Sequence, residues 1–171
     1  MLEVRLTAVR VDLQSNTPVV LLQETTGERS LPIFIGAPEA TAIAYAVQKV
    51  EVPRPMTHDL MRDIVRALDA EVVSVVVTEV HDGTYFAIIN LLRGGSPIAV
   101  SARPSDAIAL AARTEAPIFV ADELMDAAGV VLEDEDLDDD DGKDKEGGDP
   151  EELVDEFLEF LDKLRPEDFS G

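Results

Sequence analysis

Apolar and polar residues alternate along Glu3-Val4-Arg5-Leu6, and the segment from Glu3 to about Asp12 reads as a strand. The turn-like pair Ser15-Asn16 separates it from a second such run, Thr17 to Gln23, so the two read as a hairpin. Thr26-Gly27-Glu28 supplies the next turn, and Ser30 to Gly36 a third strand containing Ile33-Phe34-Ile35. A helix then begins near Pro38 and continues to Val50. Proline suits the first helical position because its missing donor has no partner there, and Glu39 complements the positive helix end. Ala40, Ala42, Ile43, Ala44, Tyr45, Ala46 and Val47 leave this helix no polar face, so burial on most sides is expected, against a sheet and a further subunit.

The prolines of Glu51 to Pro55 favour extended backbone. A second, amphipathic helix is predicted with Thr57 as N-cap and an end near Leu68, its apolar stripe formed by Leu60, Met61, Ile64, Val65 and Leu68. Three more strands follow, Val72–Val80, Tyr85–Leu92 and Pro97–Ala102, divided by Asp82-Gly83 and Gly94-Gly95, and then a helix over Pro104–Thr114. Ile118–Val120 reads as one more short strand and Asp122–Ala128 as a turn or short helix. With an offset of 65 residues, the segment Leu31–Ala37 overlies Ser96–Ala102, and Ala42-Ile43-Ala44 overlies Ala107-Ile108-Ala109. The expectation is an α+β fold of internally duplicated β-β-β-α units, forming a compact mixed or antiparallel sheet with packed helices.

Beyond residue 132 the pattern changes. Residues 133–148 are low-complexity, acidic and poor in apolar groups, which predicts a disordered linker. Residues 149–171 carry Leu153, Val154, Phe157, Leu158, Phe160, Leu161 and Leu164 at helical spacing, the pattern of a short amphipathic helix that docks on its own domain or on a neighbouring subunit. The domain proper is therefore 1–132. Of the formal charge of −22, the segment 133–171 contributes −15 and residues 1–132 only −7. A body at −7 has no general basic face, so any contact with RNA or DNA is expected to be local and weak. The acidic run serves solubility, or mimics nucleic acid and occludes a groove. No cysteine is present, which excludes disulfides, thiolate nucleophiles and cysteine-ligated zinc. The first residues lack a signal-peptide core and no stretch approaches a membrane span, so a cytoplasmic location is expected.

Candidate chemistry gathers at three helix starts. Arg103-Pro104-Ser105-Asp106 is explained in part by helix initiation; in addition, Arg103 offers a planar donor fork for phosphate and Asp106 a hard oxygen for a divalent cation. Glu39 stands at the corresponding start of the earlier helix. Arg54-Pro-Met-Thr-His58-Asp59 places a histidine beside an acid, either as a solvated helix start or as a base with its orienting partner, and Asp63 lies one turn on. His81 reads as a hairpin residue. Walker, GxGxxG, GxSxG and HExxH patterns are missing.

Three ordered motifs, Leu31-Pro-Ile-Phe-Ile-Gly36 with Glu39-Ala40, Arg54-Pro-Met-Thr-His-Asp59, and Arg103-Pro-Ser-Asp-Ala-Ile-Ala-Leu110, resemble the bifunctional nuclease domain family over about residues 1–130. The resemblance implies a compact α+β fold, a nuclease acting on both RNA and DNA, and self-association into a homo-oligomer. It points to Glu39, His58, Asp59, Arg103, Ser105 and Asp106. This chain has Ser101 where many members of that family carry an acid. Phosphodiester hydrolysis needs charge neutralisation and an activated water. The expected arrangement is therefore Mg²⁺ or Mn²⁺ on Glu39, Asp59 and Asp106, with His58 moving the proton and Arg54, Arg103 and Ser105 binding phosphate. The alternative is a non-catalytic oligomeric scaffold or regulator that binds a phosphate-bearing metabolite through Arg103 and Arg54.

Overall fold

In a computed structural model, which describes residues 1–12 and 15–131, the alternating segments become two antiparallel meanders. The first joins β1 (Leu2–Asp12), β2 (Thr17–Glu24) and β3 (Arg29–Phe34); the second joins β4 (Ala70–His81), β5 (Thr84–Arg93) and β6 (Ser96–Ala102). β7 (Ile118–Val120) lies between them, antiparallel to β1 and parallel to β4, and welds the two into one sheet of order β6-β5-β4-β7-β1-β2-β3-β8, where β8 is Val130–Val131. The turn between β4 and β5 requires positive φ at both central residues, met by Asp82 (49°) and Gly83 (75°). The acidic linker and the amphipathic helix expected over 133–148 and 149–171 lie outside the described residues.

Each meander is followed by a helix, α1 (Ala37–Val47) after β3 and α3 (Pro104–Thr114) after β6, and the two helices pack on each other. Their alanines make this possible: Ala40, Ala42 and Ala44 of α1, and Ala107, Ala109 and Ala111 of α3, are buried and bring the two backbones close. α1 rests on β2 and β1, and α3 on β4 and β5. The core they close contains Val20, Leu22, Leu31, Ile43, Val75, Val77, Ile108, Leu110 and Val120. α4 (Asp122–Ala128) contacts β3 and β4 through the buried Leu124 and Met125.

α2 (Thr57–Ala67) departs from the pattern. Met56 rather than Thr57 is its N-cap residue, and the Met56 N–H donates to Asp59 Oδ2 (3.0 Å), the returning half of a capping box. Its apolar stripe divides: Met61 and Val65 pack on the core, whereas Leu60, Ile64 and Leu68 are exposed. β6 is open as well. Among the described residues no helix covers it to match α3 on β4 and β5, and Ile98 and Val100 are exposed there although they pair with the inner-face residues Leu91 and Ile89 of β5.

Candidate functional site

Pro104 bars its predecessor from the helical region, so Arg103 is the extended N-cap of α3 (φ −70°, ψ 144°) and Pro104 opens the helix. Asp106, one turn in, is then within reach of the Arg103 side chain. Arg103 grips it side-on, Nε donating to Oδ2 (2.7 Å) and Nη2 to Oδ1 (3.1 Å), and its Nη1 donates to Glu39 Oε1 (3.0 Å) on α1. The packing of α1 on α3 thus brings the two helix starts together through one guanidinium. Three of the five guanidinium donors are used, and with the side chain 65% exposed the other two face solvent.

Glu39 is held from behind by the backbone. A Cβ at Gly36 would come within 2.3 Å of Glu39 Oε2, so the glycine makes the room in which this carboxylate folds back over its own helix start. On the other side of Asp106 stands His58, buried in the first turn of α2, with Nε2 3.0 Å from Asp106 Oδ1. With the carboxylate as acceptor, Nε2 carries the proton. Burial opposes the charge on Asp106, but the hydrogen bonds from Arg103 and His58 and their positive charge outweigh it and hold the carboxyl below its ordinary value. Arg103 is raised in turn, first by its hydrogen bond to Asp106.

A cleft of about 410 Å³ opens in front of Arg103. Glu39, Arg103 and Ser105 line one side; Phe34 of β3 and Tyr85 of β5 line the other. Phe34 is 58% exposed, which is costly for an aromatic without a partner to cover it. Asp106 and His58 lie behind Arg103 and do not form the cleft wall. Both aromatic residues escaped sequence reasoning. Phe34 had a readable signal, because in Ile33-Phe34-Ile35 the period of two that buries 33 and 35 turns 34 outward. Tyr85 lines the cleft although β5 lies five strands from β3 in the sheet order, a proximity that the sequence does not signal.

The other expected site residues lie elsewhere. Asp59 is directed at Arg113 of α3, whose Nε donates to Asp59 Oδ1 (2.7 Å) and whose Nη1 donates to the carbonyls of Ala42 and Ala109, both at 2.9 Å. It ties α1, α2 and α3 together and does not join Glu39 and Asp106. Asp63 pairs with its neighbour Arg62, and Arg54 is exposed in the loop before α2. His81 ends β4 and pairs with Glu79.

A divalent cation would meet two carboxylates here, Glu39 and Asp106, with the Arg103 guanidinium already bound to both. Among the described residues no group of three or more histidines and acids is arranged to hold a metal. The donors as placed do not make a cation site, and the trio Glu39, Asp59 and Asp106 is not assembled.

Among the described residues no helix is long and apolar enough to cross a membrane. The chain is similar throughout to an uncharacterized protein of Mycobacterium tuberculosis, with 42% identity over 99% of this chain and 98% of the relative. It is also similar to bifunctional nuclease 2 of Arabidopsis thaliana, 32% identical over 61% of this chain, and to bifunctional nuclease 1 of Oryza sativa subsp. japonica, 27% identical over 60% of it; these matches span 33% and 32% of the two plant proteins. The family model described as the bifunctional nuclease domain matches residues 20–133, which include most of β2, all of β3 to β8 and the whole Glu39–Arg103–Asp106–His58 cluster, and the chain belongs to that family.

Proposed function

We propose that the protein hydrolyses phosphodiester bonds of single-stranded RNA and DNA in the cleft in front of Arg103. The observation that carries this reading is the juxtaposition there of an exposed, doubly anchored guanidinium with two aromatic side chains and a carboxylate. Arg103 presents its two remaining donors to a phosphate, a geometry in which arginine binds bidentately. Phe34 and Tyr85 offer faces on which bases stack without regard to sequence or sugar, which suits a substrate class that includes both nucleic acids. Glu39 is placed to accept the proton of the attacking water as its oxygen bonds to phosphorus and the ester oxygen leaves. Asp106 and His58 act through Arg103 as positioning residues. Arg103 offsets one of the two carboxylate charges of Glu39 and Asp106, which lessens the repulsion of an incoming anion.

The test is cleavage of end-labelled single-stranded RNA and DNA by protein purified through successive columns, with Mg²⁺, Mn²⁺ or chelator. Cleavage that tracks the protein supports the reading, and the three conditions report whether a cation is required. Absence of cleavage under all three, with binding of phosphate compounds retained, selects a non-catalytic anion-binding scaffold. The net charge of −7 on residues 1–132 favours that second reading.

We also propose that the protein is a homo-oligomer assembled through β6. Ile98 and Val100 extend the inner face of the sheet beyond the helices, on a strand that ends the sheet among the described residues. Replacing both with Glu is expected to shift the protein to monomer in size-exclusion chromatography with light scattering, while the circular dichroism spectrum is kept. An unchanged mass would place the interface elsewhere.

A further inference from the structure

A second cleft, of about 520 Å³, lies where the C-terminal ends of α1 and α3 meet α2, apart from the Arg103 cleft. Four cations line it: Lys49, Arg62, Arg66 and Arg113. Such a cluster is unexpected in a domain with 17 acids against 10 bases. Two of its charges are already matched, Arg113 by Asp59 and Arg62 by Asp63, and Glu115 is the other acid on the rim. Lys49 and Arg66 are exposed, and neither is paired among the described residues. The Arg113 side chain is only 5% exposed, and although its Nε and Nη1 are engaged, no described residue accepts from Nη2. A buried guanidinium therefore has two donors without an acceptor among the described residues, beside a space where two further cations have no partner among those residues.

The remainder of the wall is partly apolar, with Tyr45 and Met56 among its members.

We infer that this cleft is a binding site for a compact oligophosphate, the di- or triphosphate chain of a nucleotide. Lys49 and Arg66 and the free edge of Arg113 take the phosphates, and the Tyr45 side takes the nucleoside. Arginine forks fit phosphate oxygens in pairs, and lysine adds a point charge. Clustered cations favour a ligand that concentrates several charges in one place over a nucleic-acid strand, which carries one charge per nucleotide with sugars between. The inference stands on Lys49, Arg66 and Arg113 and does not depend on cleavage at Arg103.

The test is calorimetric titration of the full chain at low salt with inorganic triphosphate, ATP and pentathymidylate, for wild type, the Lys49→Gln/Arg66→Gln double variant and Arg103→Gln. Both substituted side chains of the double variant are exposed, and its melting temperature checks that it folds. Triphosphate and ATP are expected to bind wild type and Arg103→Gln alike and the double variant at least tenfold more weakly. Pentathymidylate is expected to respond to Arg103→Gln and not to the double variant. Absence of triphosphate binding to wild type, equal binding by the double variant, or loss in Arg103→Gln would overturn the inference. Pentathymidylate binding that falls with the double variant while triphosphate binding does not would assign the cleft to the nucleic-acid backbone and overturn it as well.

Discussion

Arg103→Gln is expected to lower cleavage of RNA and DNA by about 100-fold or more, in the range that follows loss of one preorganised charge aimed at developing negative charge. The melting temperature should fall less than for a buried pair, because the guanidinium is 65% exposed and water can replace it, although the carboxylates it leaves, Glu39 and Asp106, are only 19% and 24% exposed. Glutamine keeps a donor and most of the length but loses the charge and the fork that joins Asp106 to Glu39. Gly36→Ala is the complementary substitution, acting on Glu39. Its methyl group displaces the end of a flexible Glu39 side chain, so activity should fall while stability is largely kept. If Arg103→Gln cleaved at the wild-type rate with the same KM, the cleft would not be where phosphodiester chemistry occurs. A loss confined to KM would instead make Arg103 a binding residue whose contact is equal in ground and transition states.

Much of this site was legible in the sequence, and the reasons are local. Pro104 after Arg103 fixes a helix start, and a helix start three residues before an acid places the two side chains together. The correspondence of Leu31–Ala37 with Ser96–Ala102 anticipated two meander-plus-helix segments, and their helices do meet at Glu39 and Arg103. Adjacency in the chain does not say which way neighbouring helical residues point. His58 and Asp59 are separated by one 100° step around α2, which sends one to Asp106 and the other to Arg113, and the sequence has no feature that distinguishes them. Asp59 therefore faces Arg113 and stands apart from Glu39 and Asp106. The insertion of β7 between the meanders was also out of reach, because three residues, Ile118–Val120, carry no information about which strands they join. The opposite case is α2, where the apolar stripe is clear in the sequence and three of its five residues, Leu60, Ile64 and Leu68, are exposed. Periodicity records which face is apolar and leaves open what covers it.

The buried contact between Asp59 and Arg113 sets the largest expected effect on stability. Arg113 joins three helices through one side chain, with Asp59 on α2, the Ala42 carbonyl on α1 and the Ala109 carbonyl on α3 as acceptors. Arg113→Met removes all three donors and leaves Asp59, only 17% exposed, charged with the Met56 N–H as its remaining hydrogen-bond donor. Breaking a buried pair from one side costs about 3–5 kcal/mol, which lowers the melting temperature of a domain this size by roughly 10 °C or more. Asp59→Asn in the same background removes the unpaired charge and should recover part of the loss, because the penalty lies in the orphaned carboxylate more than in the missing attraction. Burial works against the charge on Asp59. The hydrogen bonds from Arg113 and Met56 and the positive charges of Arg113 and Arg62 nevertheless hold it below the ordinary aspartate value. A depressed folded-state pKa contributes stability that is complete above the range of an unfolded aspartate and is lost as pH falls through the folded value. Chemical denaturation at stepwise lower pH should therefore show an acid limb in wild type that is shallower in Asp59→Asn. An Arg113→Met protein within about 1 kcal/mol of wild type would show instead that the helices are held by the alanine contacts of α1 and α3 alone.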